Sequence, residues 1–206
     1  MNDRNIPHIV VSRLPRYLQA LEHMLHDGIH TTSSQELGDM IGISAAQIRK
    51  DLSQFGEFGK QGKGYGVSFL VEQLQSILNV NRYWEIALVG AGNLGHAIAH
   101  YQDFNKHGFT VTIIYDSDPA LIGTKIGSFV VKDAANMVEE IREAGIKVGM
   151  ITVPANAAQA VADEFVKAGV KAILNYAPIN LNVPEGVHVQ YIDPIIYLQR
   201  MTYYLA

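Results

Sequence analysis

The sequence contains no cysteine. Disulfides, thiolate metal sites, a cysteine nucleophile and a thiol redox switch are all excluded by that absence. No apolar run approaches the roughly 20 residues that a membrane span needs. The opening stretch, MNDRNIPHIVVS, lacks the apolar core of a signal peptide, so a cytoplasmic, soluble protein is expected. There is no internal repeat and no low-complexity tract. Charge is sparse, with 17 % Asp, Glu, Lys and Arg and a net charge of −4, which argues against a protein that coats nucleic acid by bulk charge. What the chain does have is 48 % hydrophobic residues in 206, enough to bury a core and to exclude wholesale disorder. That length allows one large domain or two modest ones.

The average charge conceals a gradient. Arg4, Arg13 and Arg16 share one short stretch, and Arg49, Lys50, Lys60 and Lys63 share another. From residue 81 onward, 9 basic residues face 12 acidic ones. The hydrophobic period changes near the same place. Leu14, Leu18, Leu21 and Leu25 mark one face of a helix from about Ser12 to Asp27. Ser33 with Glu36, and Ser44 with Gln47, are two capping-box patterns, opening a short helix and then a third one to about Phe55. GEFGKQGKGYG, with five glycines in eleven residues, reads as a two-stranded hairpin, and Ser68 to Leu78 reads as a fourth helix. After the junction NVNRYW come five β-branched runs: WEIALVG, TVTIIYD, VGMITVP, KAILNYAP and VHVQYID. Helical stretches near 94–104, 133–144 and 157–168 separate most of them, which predicts a parallel sheet with helices on both faces. An apolar helix from Ile195 to Leu205 ends the chain.

Gly90-Ala91-Gly92-Asn93-Leu94-Gly95 is G-x-G-x-x-G, set after an apolar strand and before a helix. The three glycines serve a tight turn, close approach of a pyrophosphate, and helix–strand packing. Asp116 follows Gly95 by 21 residues, where a carboxylate accepts from an adenosine ribose. A 2′-phosphate would meet a like charge there, so NAD is expected over NADP. Val153-Pro154 and Asn175-Tyr176-Ala177 end two strands and should line the nicotinamide side. His96 and His100 have a chelating spacing but no third ligand, so no metal is expected.

On the third helix, Ile48, Leu52 and Phe55 form one face, and Ala46, Lys50 and Ser53 point away from it. Arg49 and Gln54 flank that outer face, while Asp51 lies nearer the apolar side. Helix, turn and helix with a small, basic outer surface form a helix-turn-helix. The expected DNA contacts are Arg13, Arg16, Ala46, Gln47, Arg49, Lys50, Ser53 and Gln54, with Lys60, Lys63 and Tyr65 on a wing. The fold class expected is α/β: a winged helix-turn-helix domain over 1–80, a Rossmann dinucleotide-binding domain over 81–193 and a C-terminal helix over 194–206. Two rival readings are a dehydrogenase with an N-terminal adaptor and a transcription factor that binds coenzyme A. Little chain is left for a catalytic domain, and Asp116 favours a free ribose diol.

With SRLPRYL, TTSSQELG, QIRKDLSQFGEFGKQGKGYGV, LVGAGNLG, YDSDP, ITVP and NYAPI in that order, the sequence resembles the Rex family of bacterial redox-sensing transcriptional repressors. The resemblance implies a non-enzymatic homodimer whose C-terminal helices exchange between subunits. It implies NADH and NAD+ as cofactors and a palindromic double-stranded operator, bound when NADH is low and released by NADH. It also implies switch roles for Tyr101 and Asp193. Some relatives carry an arginine two residues after the first-helix tyrosine. Here Tyr17 is followed by Leu18 and Gln19, so either Arg16 substitutes or the latch differs. Pro194 departs from the larger apolar residue expected after Asp193.

Overall fold

A computed structural model describes residues 6–59, 64–101 and 103–205. Two compact units divide between Arg82 and Tyr83.

In the first unit, α1 (His8–Val11), which was not expected, leads into α2 (Leu14–His26), within the span expected from Ser12 to Asp27. A short strand β1 (Thr31–Thr32) precedes α3 (Ser34–Ile41) and α4 (Ala45–Leu52). The predicted end of α4 at Phe55 is corrected to Leu52; residues 53–55 form a turn. Strand β2 (Tyr65–Gly66) leads into α5 (Val67–Ile77). Within the described residues, β2 pairs antiparallel with β1, Thr31 opposite Gly66 and Thr32 opposite Tyr65; the tip of the expected hairpin lies outside the described residues. Lys60 and Lys63 lie outside the described residues. Leu14, Leu18 and Leu21 of α2 pack with Leu37, Ile48, Leu52, Leu70 and Leu74, so each helix contributes one apolar stripe to a single core.

The second unit begins with β3 (Trp84–Val89) and α6 (Asn93–Ala99). The helix expected over 94–104 is split: α6 stops at Ala99, and α7 (Asp103–Lys106) follows. Then come β4 (Phe109–Asp116), a small hairpin of β5 (Lys125–Ile126) and β6 (Phe129–Val130), and β7 (Lys132–Asp133). The helix expected from 133 begins as a 3-10 turn at Ala134–Asn136 and continues as α8 (Met137–Ala144). β8 (Val148–Ile151), α9 (Ala155–Ala168), β9 (Ala172–Asn175) and β10 (His188–Tyr191) complete the sheet. Its order is β7-β4-β3-β8-β9-β10, with every pairing parallel. β7 was not foreseen. Numbered along the chain, this is the doubly wound order 3-2-1-4-5-6.

Alternation along β3 divides the core. Ala87 and Val89 point toward Ile141, Ala162 and Phe165 of α8 and α9, while Ile86 and Leu88 point toward Ile98 of α6. Both faces are covered, as a parallel sheet requires. Helix α10 (Pro194–Thr202) and a 3-10 turn at Tyr203–Leu205 end the chain. Neither buries a residue: Ile196 is 62 % exposed and Leu205 82 %. No helix among the described residues is long and apolar enough to cross a membrane.

Candidate dinucleotide and nucleic-acid sites

Parallel strands put all their carboxyl ends on one edge. That edge gathers the glycine loop after β3, Asp116 at the end of β4, Thr152–Pro154 after β8 and Asn175–Ala177 after β9. The glycine loop is tied down from both neighbouring strands. Gly90 N–H donates to the carbonyl of Tyr115, and the Thr152 hydroxyl donates to the carbonyl of Gly90 at 2.8 Å. The loop accounts for two of its glycines. A Cβ on Gly95 would lie 1.8 Å from the Gly90 carbonyl oxygen, and one on Gly90 would lie 2.8 Å from the Thr152 backbone. Gly92 differs: its φ is ordinary at −68° and a Cβ would meet nothing within 4 Å. Fold geometry therefore does not demand a glycine there, whereas a ligand pressed against the backbone would. The first-turn N–H groups of α6 have no acceptor within the helix and face this space.

Asp116 is half-buried and partly engaged. Its Oδ2 accepts from Ala91 N–H at 2.6 Å and its Oδ1 from Asp118 N–H at 2.9 Å. A carboxylate offers about four lone-pair sites, so two remain for a diol. The residues present thus fit a dinucleotide: a loop with room for a pyrophosphate and a carboxylate with capacity left for a ribose. One expected ligand side chain is corrected. Asn175 is completely buried, donates to the carbonyls of Ala177 and Ile179, and accepts from Ala177 N–H. It shapes its loop from beneath and does not present its amide to the edge. Tyr176 and Val153 are half-buried and Pro154 is exposed. Thr152, the tie between the two loops, went unremarked in the sequence because a threonine at a strand end carries no distinctive pattern.

The two expected switch residues lie apart within one chain. Tyr101 follows the far end of α6, is 56 % exposed, and meets Phe104 edge-on. Asp193 follows β10, the strand at the sheet margin three places from β3. Its Oδ1 accepts from Ile195 N–H at 2.9 Å and so caps α10. His100 Nδ1 bonds the His96 carbonyl at 2.8 Å, and no group among the described residues could hold a metal ion.

In the first unit, α4 presents the surface that its period predicts. Ala46, Arg49, Lys50 and Ser53 are exposed, while Gln54 is half-buried. Arg49 donates to Ser34 Oγ at 2.9 Å. Arg16 is exposed and donates to the Ile41 carbonyl at the end of α3. Tyr65 is half-buried on β2. Arg13 requires correction as a DNA contact. Its Nε and Nη2 donate to the two oxygens of Asp51 at 2.6 and 2.7 Å, which fastens α2 to α4. The Tyr17 hydroxyl adds a third bond to Asp51 at 2.6 Å. Burial alone would raise the Asp51 carboxyl, but the bonds from Arg13, Tyr17 and Gln47 outweigh it and hold the pKa below the ordinary value. Burial, helped by Asp51, pushes Tyr17 up to about 12. The position of Asp51 on the buried side of an amphipathic helix was the available signal for this cluster.

Residues 5–53 match a family model described as "Putative DNA-binding protein N-terminus", and residues 81–179 match one described as a CoA binding domain. The redox-sensing transcriptional repressor Rex of Chloroflexus aggregans is 52 % identical over 200 residues, 97 % of this chain and 94 % of that protein. The Pelotomaculum thermopropionicum repressor of the same name is 44 % identical over 206 residues, 100 % of this chain and 97 % of that one. A structure of RSP with β-NAD+ and operator DNA matches with a TM-score of 0.92 at 40 % identity, over 97 % of this chain and 92 % of RSP. RSP with β-NADH matches at 0.90 and 37 %, over 98 % and 95 %.

Gly92→Ala leaves the melting temperature of the chain unchanged but weakens NADH binding at least tenfold by calorimetry, whereas Gly95→Ala lowers both. Equal NADH affinity in Gly92→Ala would contradict the cradle. Asp51→Ala leaves a partly buried guanidinium unpaired and costs the first unit about 3–5 kcal/mol in denaturant unfolding. Because the folded pKa of Asp51 is depressed, its stabilisation is present above about pH 4 and is lost as pH falls through the folded value. Wild-type melting should drop in that window more steeply than that of Asp51→Ala.

Proposed function

The chain belongs to the Rex family of redox-sensing transcriptional repressors, and from that membership we propose how its own residues serve an NADH-responsive repressor. It is a DNA-binding regulator and not an enzyme. The observation that carries the reading is the pairing, in one chain, of an α4 that presents Ala46, Arg49, Lys50 and Ser53 to solvent with a sheet edge that joins the glycine loop to Asp116.

The dinucleotide's pyrophosphate is held by backbone amides of Gly90–Gly95, and its adenosine ribose by the free lone pairs of Asp116. Val153, Pro154, Tyr176 and Ala177 flank the nicotinamide side. When bound, the reduced cofactor supplies a neutral ring where the oxidised one carries a positive charge. The apolar loop residues on that side favour the neutral ring, because taking a cation out of water costs more. A CoA ribose bears a 3′-phosphate that would face the Asp116 carboxylate, so the CoA description of the 81–179 model does not carry over to this chain's ligand. The protein acts in the cytoplasm, where its DNA lies.

The partner is a second copy. Ile195, Ile196, Leu198, Met201 and Leu205 are too apolar and too exposed for a lone subunit. Tyr101 and Asp193, separate in one chain, come into reach across the pair. Each copy then offers one α4 to a palindromic site with half-sites about 34–36 Å apart or a multiple of that.

A chain ending at Asp193 should sediment as a monomer while the full chain sediments as a dimer; a dimer in both would sink the role of α10. With a fluorescent duplex selected from a randomised library, NADH should release the protein at concentrations where NAD+ does not. Release by both alike would overturn the redox reading. Operator affinity should also fall steeply with salt, through counterion release.

A further inference from the structure

The sequence pattern Ser44-x-x-Gln47 predicts a side chain that reaches back to cap its own helix, as Glu36 does for Ser33 at 2.6 Å. Only half of that box forms at α4. Ser44 accepts from Gln47 N–H, but the Gln47 side chain turns the other way and donates from Nε2 to Asp51 Oδ1 at 2.7 Å.

This contact settles which end of the amide faces outward. A glutamine's oxygen and nitrogen are nearly interchangeable in shape, and most are oriented only by their surroundings. Here the neighbour is an ionised carboxylate, which accepts and cannot donate. Only the amide's N–H can face it. The carboxylate is also full: Oδ2 takes Arg13 Nε and the Tyr17 hydroxyl, and Oδ1 takes Arg13 Nη2 and Gln47 Nε2. Four donors meet about four lone-pair sites, so the cluster has no slack in which the amide could turn over. Gln47 keeps its Oε1 and a second N–H for a ligand, because the bond to Asp51 uses only one N–H of the amide.

Gln47 occupies the third position of α4, beside exposed Ala46 and one turn before Lys50. In a helix-turn-helix, residues near the start of the second helix reach base edges. An acceptor and an N–H on one rigid amide match the N6–H donor and N7 acceptor of adenine in the major groove. A free glutamine would lose rotamer freedom on binding; here the fold has already fixed it.

Resting on the reading of α4 as the recognition helix, we propose that Gln47, oriented by Asp51, specifies an A·T pair in each half-site. Asp51 itself is a positioning residue, with Arg13 and Tyr17 behind it. Arg49 and Lys50, exposed and charged, serve phosphates and other bases.

The test selects a duplex from a randomised library with the full wild-type chain. Every single base-pair variant of that duplex is then measured by competition against wild type, Gln47→Ala and Gln47→Glu, with circular dichroism confirming that each is folded. Wild type should show one position per half-site where replacing A·T weakens binding roughly ten- to hundredfold. Gln47→Ala should flatten that position alone, leaving the preference at other positions and the salt slope unchanged. Gln47→Glu, repelled by Asp51 and able only to accept, should move the preference there toward cytosine. An unchanged profile in Gln47→Ala, or an equal loss on all sequences, overturns the assignment while leaving the recognition helix standing. A wild-type chain with no sequence preference at all overturns both.

Discussion

The close approach of α6 to β3 is the constraint on which the second unit depends. Gly95 brings its backbone so near the Gly90 carbonyl that no side-chain carbon fits between them. The turn from strand to helix is consequently tight, and the Thr152 hydroxyl and Tyr115 carbonyl lock it from the two strands beside β3. The lock places Ala91 N–H on Asp116, so loop and acid form one hydrogen-bonded unit before any ligand arrives. A rigid edge of this kind loses little freedom on binding, which is the physical content of preorganisation.

The first unit follows the same logic with charge in place of backbone contact. Asp51 sits fully buried on the inner side of α4 and draws donors from two places on α2 and one on α4. A buried carboxylate with any of these missing would be costly, so the cluster favours one arrangement of α2 against α4. Packing by Ile48 and Leu52 holds the helix to the core, but it would tolerate small rotations that a filled carboxylate does not. The outer face of α4 gains its precision from the inner one.

Much of this was legible in the sequence. The glycine loop and Asp116 stood out because their spacing is dictated by backbone geometry that few other uses demand. The α2 and α4 stripes were legible because Leu14, Leu18 and Leu21, and Ile48 and Leu52, repeat at the helical period. Other features depended on partners distant in the chain. Arg13 reads as a free cation until Asp51, 38 residues later, is seen to hold it. The pairing of β2 with β1 was not legible because β1 is only two residues long and leaves no periodic trace. Gln47 had two partners within reach, Ser44 behind and Asp51 ahead, and spacing alone could not choose between them. Helix α6 ends at a C-cap, His100, whose ring bonds the carbonyl one turn back, a feature that leaves no mark in the hydrophobic period.

The central claim is that the sheet edge of the second unit is built for a dinucleotide with an unphosphorylated ribose. Calorimetric titration of the full chain with NADH, NADPH and coenzyme A examines it directly. The account predicts one NADH per chain, with NADPH and coenzyme A at least tenfold weaker, and recovery of NADPH relative to NADH when Asp116 is replaced by Asn. Coenzyme A binding as tightly as NADH, or an Asp116→Asn chain with the wild-type preference, would contradict it.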